Sequence, residues 1–199
     1  MSSRPNQWLR RNLHENGLPL PGCEGVYLRP GRLAVLSAGS ARQRTDFLLD
    51  AAVSALVRSR AVLFLSRTPT DILRERLTDL RFEGFDEVSE KMQREFRRLR
   101  AEYFAVYNRS ELNMDTLERE LADFAAYERR SADLVLLDVG VLHPGERSVS
   151  ELVRRAAGTR AGWIVFLNKK EVGENSSPVL KLDFTASNAE VPRPAIHIA

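Results

Sequence analysis

Residues 32–45 of the chain read RLAVLSAGSARQRT, an apolar run followed by small residues and then by a polar segment. The apolar part, residues 32–37, has the length of a buried strand, and the small residues after it predict a turn. Residues 45–58 place apolar side chains at i, i+4 spacing, which predicts an amphipathic helix. The stretch therefore predicts a strand, a turn and a helix, the unit from which α/β domains are built.

The same alternation continues along the chain. Apolar runs of strand length lie at residues 61–66, 133–139 and 163–167, with a weaker one at 103–107. Helical patterns lie at residues 72–80, 89–100, 114–129 and 148–157. Residues 179–184 and 195–198 resemble two terminal strands, forming a hairpin or an antiparallel edge. Continuous apolar runs separated by helices predict a mostly parallel sheet with helices on both faces.

Composition limits the class of protein. The 199 residues suffice for one domain with a sizeable core, and the 43% hydrophobic and 29% charged shares are ordinary for a globular protein. No window approaches the roughly 20 apolar residues of a membrane span, and the polar, basic start lacks a signal-peptide core. The single Cys23 cannot form an internal disulfide. We expect a cytoplasmic protein without membrane contact.

The chain divides into an N-terminal extension, residues 1–23, and a domain, residues 24–199. The extension includes a predicted short helix at residues 7–15. A Pro/Gly-rich segment at residues 17–25, predicted to be irregular, follows it and spans the boundary.

The turn after the first strand matches the spacing of the phosphate-loop pattern G-x-x-x-x-G-K-[ST]. Thr45 matches the hydroxyl position, whereas Ala38 and Gln43 replace the two glycines and Arg44 replaces the lysine. A side chain at the second glycine restricts the backbone, and Arg is bulkier than Lys. On these residues alone, a plain small-residue turn is the favoured interpretation. Ligands of parallel α/β proteins nevertheless bind at the carboxyl ends of strands, where this turn lies.

A second candidate position ends the apolar run DLVLLD. Asp138 is its last residue, in the pattern of a strand that presents a carboxylate to nucleotide-bound Mg²⁺. An Asp at the end of a buried strand also serves as a hydrogen-bond partner for the adjacent loop. With the phosphate-loop residues changed, we favour this second interpretation.

Five segments together resemble the RecA-like core of DnaB-type replicative helicases, and more broadly the DnaB/KaiC/RecA group. They are RLAVLSAGSARQRT, RAVLFLSRTPTDIL, YFAVYNRSELNMDTLERELADF, ADLVLLDVGVL and GWIVFLNKK, and the resemblance covers about residues 24 to 185. It implies a three-layer RecA-like P-loop NTPase fold, with a mostly parallel sheet, helices on both faces and an antiparallel C-terminal edge.

The resemblance also implies which residues would bind a nucleotide. The catalytic Glu of the helicases falls at Thr68, and the Gln that senses the γ-phosphate falls at Asn168 or Lys169. Hydrolysis needs charge neutralisation and an oriented water together, so these changes predict a pseudo-ATPase without catalytic residues. We expect no cofactor, with Mg-ATP as the alternative. The vestigial nucleotide-binding set is Ala38, Gly39, Gln43, Arg44, Thr45 and Asp138.

Basic residues are the candidates for contact with a partner. In the resembled helicases, the loops equivalent to residues 141–150 and 169–178 contact single-stranded DNA, but here neither is strongly basic. Residues 91–100 form the densest positive run, although neighbouring glutamates favour a solvated, salt-bridged face. Cys23 and His143 lack metal-ligand spacing, so no metal site is predicted. The candidate contact residues are Arg94, Arg97, Arg98, Arg147, Lys169 and Lys170.

Three functions remain open. The leading hypothesis is a non-hydrolysing RecA/DnaB-like domain in DNA replication, recombination or repair, which binds a protein partner or self-associates and for which single-stranded DNA is a further partner. The first alternative is a weak or partner-completed ATPase that uses Arg44 and Asp138. The second is a RecA-like regulator such as a cell-division inhibitor. The net charge of +3 permits nucleic-acid binding without demonstrating it.

Overall fold

The computed structural model describes residues 17–23, 25–36, 40–138, 142, 149–166, 180–184 and 194–198. The strands are β1 (Leu18–Pro19), β2 (Tyr27–Leu28), β3 (Leu33–Leu36), β4 (Val62–Ser66), β5 (Phe104–Asn108), β6 (Leu134–Leu137), β7 (Gly162–Phe166), β8 (Leu180–Phe184) and β9 (Pro194–Ile198). The helices are α1 (Ala41–Leu56), α2 (Thr70–Phe82), α3 (Glu90–Tyr103), α4 (Met114–Glu128) and α5 (Val149–Ala157). Among these helices, none combines the length and apolar character needed to cross a bilayer.

The main sheet has the strand order β5-β4-β6-β7-β3-β8-β9. Its five strands from β5 to β3 are parallel to their neighbours, β8 extends the sheet in parallel beside β3, and β9 is antiparallel to β8. The predicted α/β architecture, with a mostly parallel sheet and an antiparallel C-terminal edge, is therefore confirmed. Membership of the P-loop NTPase class stays a prediction.

Successive residues of the central strands belong to two separate hydrophobic cores. Phe64 and Leu136 pack on the face covered by α1, α2 and α3. Leu63 and Val135, one residue earlier on the same strands, pack on the face covered by α4 and α5. Because side chains alternate along a strand and both faces are covered, the sequence of each central strand is a continuous apolar run.

Helix α1 begins earlier than the sequence pattern suggested. We expected it from residue 45, but it begins at Ala41, directly after the N-cap Ser40. The Ser40 Oγ accepts from the Gln43 N–H at 3.2 Å, and the Gln43 Oε1 accepts from the Ser40 N–H at 2.7 Å. This reciprocal pair is a capping box, which satisfies two donors at the helix start. The spacing Ser-x-x-Gln is therefore what sets the first residue of α1.

A paired ion bridge fixes α1 against α2. The Arg76 guanidinium donates from Nε and Nη2 to the two carboxylate oxygens of Asp46, both at 2.8 Å. Such a fork-to-fork pair restricts both position and orientation. It lies in the second turn of α1, so it holds the beginning of that helix at the carboxyl edge of the sheet.

The segment predicted to be irregular at residues 17–25 contains part of a small hairpin, in which β1 pairs antiparallel to β2. Its turn buries Leu20 and Cys23 in the same core as α1. Gly17 has φ +76°, and a Cβ there would lie 2.5 Å from the Leu28 carbonyl oxygen, so only glycine fits. The helix predicted at residues 7–15 lies outside the described residues, and the boundary at residue 23 stays a prediction.

The double-sided core gives a first test. Phe64 is fully buried in β4, 6.4 Å from the ring centre of Phe104, whereas Tyr127 on α4 is 84% exposed. We expect Phe64→Ala to lower the free energy of unfolding by about 3–5 kcal/mol in urea denaturation, because it leaves a cavity under α1. Tyr127→Ala should change it by less than about 0.5 kcal/mol. Equal effects of the two substitutions would contradict the described packing.

Candidate site at the carboxyl ends of the strands

The strand order places a topological switch point between β4 and β6, and we call the place where these two strands end the crevice. After β4 the chain turns towards β5 with its helices on one face, and after β6 it turns the opposite way towards β7, with α5 on the other face. Where the connections of two adjacent parallel strands diverge, the loops leave a cleft at the carboxyl ends, the usual ligand position in open α/β sheets. Ser66 ends β4 and Asp138 follows β6, so both lie at this point.

A buried hydrogen-bond network joins these two residues. The Ser66 hydroxyl donates to the Asp138 Oδ2 at 2.8 Å, and the Thr68 N–H donates to the Ser66 Oγ at 3.0 Å. The Asp138 N–H donates to the Leu65 carbonyl at 3.1 Å, which continues the pairing of the strands. Ser66 is fully buried and Asp138 is 8% exposed. The predicted role of Asp138 as a hydrogen-bond partner for the adjacent loop agrees with these contacts.

Arg44, in the first turns of α1, interacts electrostatically with the same carboxylate. Burial lowers the pKa of the Arg44 guanidinium, and the negative charge of Asp138 opposes that shift. The negative charge of Asp138 therefore acts on Arg44, and the resemblance to the helicases assigns both residues to one nucleotide site.

The capping box uses donors that a phosphate would need. Helix N-termini bind phosphate through their exposed backbone N–H groups. Here the Gln43 N–H is bonded to the Ser40 hydroxyl, and the Ser40 N–H is bonded to the Gln43 side chain. Gln43 and Arg44 lie within α1 rather than in the loop before it, which corrects their predicted placement, and Thr45 lies within the helix as predicted. Ala38 and Gly39 lie outside the described residues.

The loop after β4 is held by the neighbouring strand. The Asn108 side-chain amide donates to the carbonyl oxygens of Arg67 and Thr68, at 3.0 and 2.9 Å. The Arg67 Nε also donates to the Ser110 carbonyl at 2.5 Å. Thr68, which stands at the place of the helicase Glu, is therefore fixed by its backbone and carries no carboxylate.

A buried carboxylate close to this loop is already paired. Glu120 on α4 is 7% exposed and accepts from the Arg109 guanidinium at 2.5 and 3.0 Å. The hydrogen bond to Glu120 is the main cause that raises the pKa of Arg109, whose guanidinium also lies 5.5 Å from the ring centre of Tyr107. Burial raises the pKa of the Tyr107 hydroxyl. Glu120 therefore acts as a structural counter-ion and is not placed as a general base.

The candidate contact residues of α3 are all exposed, and Arg97 and Arg98 lie three and four residues after Arg94 on the same helix, so they occupy neighbouring positions on its surface. Arg97 bonds to Gln93, whereas Arg98 pairs with Glu102 at 2.9 Å and Arg94 is exposed. The remaining candidates, Arg147, Lys169 and Lys170, lie outside the described residues, as do Asn168 and His143. In the part of the chain that the structure describes, no cluster of three or more His, Cys, Asp or Glu side chains could hold a metal.

Sequence reasoning missed several residues of the site. A polar residue ending an apolar run marks Ser66, and Asn108 and Arg109 follow the strand-like run YFAVY in the same way. The capping motif was the available signal for Ser40. Nothing local indicated Glu120, because its partner is reached through the packing of α4 beside β5.

Comparison of the sequence with known proteins does not identify a family for the chain. No protein-family model matches the chain, and the curated proteins searched contain no match. The fold and site define an α/β protein with a buried polar network at the switch point of its sheet. Its function must therefore be argued from the crevice itself.

The hydroxyl of Ser66 gives a test of this network. Ser66→Ala removes one donor from a buried carboxylate, so we expect the free energy of unfolding at neutral pH to fall by about 1–3 kcal/mol. Ser110→Ala is the matched control, because Ser110 is exposed and only its backbone carbonyl accepts a bond. Urea denaturation of both variants provides the comparison. A Ser66→Ala protein as stable as the control would show that the hydroxyl does not support Asp138.

Proposed function

We propose that the chain is a non-hydrolysing RecA/DnaB-like domain that acts through binding, as a module in DNA replication, recombination or repair. One observation carries the proposal: groups that would hold a nucleotide already satisfy each other. The N–H donors of Ser40 and Gln43 are used in the capping box. The carboxylate of Asp138 accepts from Ser66 and interacts with Arg44.

Nucleotide binding would have to replace these contacts. Loss of a helix N-cap costs about 1 kcal/mol, and a hydrogen bond to a charged group contributes about 1.5–3 kcal/mol. A phosphate approaching Arg44 would also compete with Asp138 for the same positive charge. These costs reduce the affinity for an anion at a place where a phosphate loop would provide ready donors.

Hydrolysis has a further requirement that the residues described at the crevice do not meet. The attacking water must be oriented by a base while the developing charge is neutralised. Thr68 has no acid group, and the Glu120 carboxylate is bound by Arg109. We therefore infer that the domain retains a nucleotide-type fold as a scaffold for partners, with a protein or a second copy of the chain as partner and single-stranded DNA as the further possibility.

The ATPase alternative is favoured by one observation. The negative charge of Asp138 acts on the Arg44 guanidinium, as expected of a metal-binding carboxylate and a phosphate-binding cation that serve one nucleotide. In that alternative, Mg-ATP separates the two charges and a partner subunit supplies the missing base. The regulator alternative shares the scaffold of the main proposal and differs only in the partner.

Calorimetric titration with Mg-ATP separates the proposals. We expect no binding heat and no phosphate release for the full chain, and the same result for Arg44→Ala and Asp138→Asn. The two variants remove the positive and negative charges of the crevice in turn, so each serves as control for the other. Single-stranded DNA, titrated in parallel, tests the further partner.

The result that would overturn the proposal is micromolar Mg-ATP binding that is lost in Arg44→Ala. If Asp138→Asn then also loses the magnesium dependence, the ATPase alternative is correct. Binding that both variants retain would place the nucleotide elsewhere on the protein. That outcome would remove the crevice from the argument and contradict the proposal equally.

A further inference from the structure

A groove of about 420 Å³ lies between α2 and α3, away from the crevice. Phe82 and Val88 form its apolar part, and Arg97 and Arg100 contribute two guanidinium groups. All four side chains line the same space. The groove therefore combines an apolar surface with positive charge, a combination that neither helix shows by itself.

Arg100 is fixed at this groove by helix α2. Its Nη1 donates to the Thr78 hydroxyl at 2.8 Å and to the Arg74 carbonyl at 3.1 Å. Both recorded bonds of Arg100 use Nη1, so within the described residues the other guanidinium nitrogens make no protein hydrogen bond. Arg97 is positioned separately, because its Nη2 donates to the Gln93 Oε1 at 3.1 Å. The two guanidiniums are thus ordered before any ligand arrives.

The arginines around the groove repel each other. Burial lowers the pKa of Arg100, and the positive charges of Arg74 and Arg97 lower it further. Within the described residues, none of these three forms an ion pair, in contrast to Arg98 with Glu102 on the same helix. Asp79 also lines the groove, so its lining carries two guanidiniums and one carboxylate. The balance of charge in the lining is therefore positive.

We propose that this groove binds an acidic, partly apolar segment of a partner protein, whose carboxylates pair with Arg97 and Arg100. The proposal rests on the proposed function, because it names the kind of partner that a binding domain of this structure would take. Arginine forks match carboxylates in geometry, and the apolar side chains of such a segment would cover Phe82 and Val88.

A nucleic acid fits the groove less well. Phosphate backbones require a track of several cations, whereas this groove is lined by two, and the acids Glu83, Asp86 and Glu87 beside it would repel any negative charge that a ligand carries beyond the groove. The ring of Phe82 packs edge-on against Phe85 and Phe96, so it is not presented as a stacking platform. A short contact with alternating acidic and apolar groups agrees better with these surroundings.

The test uses the full chain and a fluorescein-labelled synthetic peptide of Asp-Phe-Glu-Leu repeats, followed by fluorescence anisotropy without nucleotide. We expect saturable binding that weakens at high salt, because the groove is open to solvent. Arg97→Gln should weaken it roughly tenfold, the loss of one charge-assisted contact. The matched control is Arg119→Gln, which removes the same charge from an exposed position on α4, on the opposite face of the sheet.

Three outcomes would overturn the proposal that this groove binds an acidic segment. They are equal affinities for Arg97→Gln and Arg119→Gln, equal binding of an Asn-Phe-Gln-Leu peptide, and preferential binding of an oligo-thymidine strand that Arg97→Gln abolishes. The last would identify a nucleic-acid site instead. Each leaves the nucleotide titration at Arg44 untouched, so failure of the groove is distinguishable from failure of the proposed function. Unchanged urea midpoints of both variants show that the fold is intact.

Discussion

The central strands have no face in contact with water, and the rest of the structure follows from this constraint. Every residue of β4 and β6 is buried, one face under α1 to α3 and the other under α4 and α5. Polar groups can therefore appear only where these strands end. A carboxylate at such a place is costly unless donors surround it, and Asp138 has the Ser66 hydroxyl as one of them. The polar residues Ser66 and Asp138 lie at the ends of these strands because both faces of the strands themselves are covered by apolar side chains.

The same place shows two uses of helix N-terminal amides in competition. A phosphate loop leaves these groups free for an anion, whereas a capping box uses two backbone N–H groups, those of the N-cap and N3 residues, within the chain. In this protein Ser40 and Gln43 form a capping box, and α1 begins at Ala41 as a result. The replacement of the second glycine of the phosphate-loop pattern by Gln43 thus also adds a contact, because the glutamine side chain accepts a hydrogen bond from the Ser40 N–H at the helix start. Nucleotide affinity and helix stability are opposed there.

Much of the fold could be predicted, because strands that are buried on both faces have continuous apolar sequences and can be recognised from them. The start of α1 was misplaced because a spacing match over residues 38–45 was preferred to the local capping signal at Ser40. The pairing of Arg109 with Glu120 could not be predicted, since it depends on which helix packs beside β5. The same holds for Arg74 and Arg100, which lie on different helices and meet only after these pack together. Local patterns give elements, whereas sites are built from contacts between them.

The arginines of the surface illustrate why total charge is a poor guide to partners. Arg98 with Glu102, and Arg154 with Glu151, are separated by three or four residues on one helix, so their charges cancel locally and attract little. Arg74, Arg97 and Arg100 come from two helices and form no ion pair within the described residues, and Asp79 of α2 is the acid that lines their groove. Packing α2 against α3 costs this repulsion, which an acidic ligand would relieve. A groove that gathers positive charge from two helices would therefore recognise an acidic ligand by contacts that neither helix provides alone.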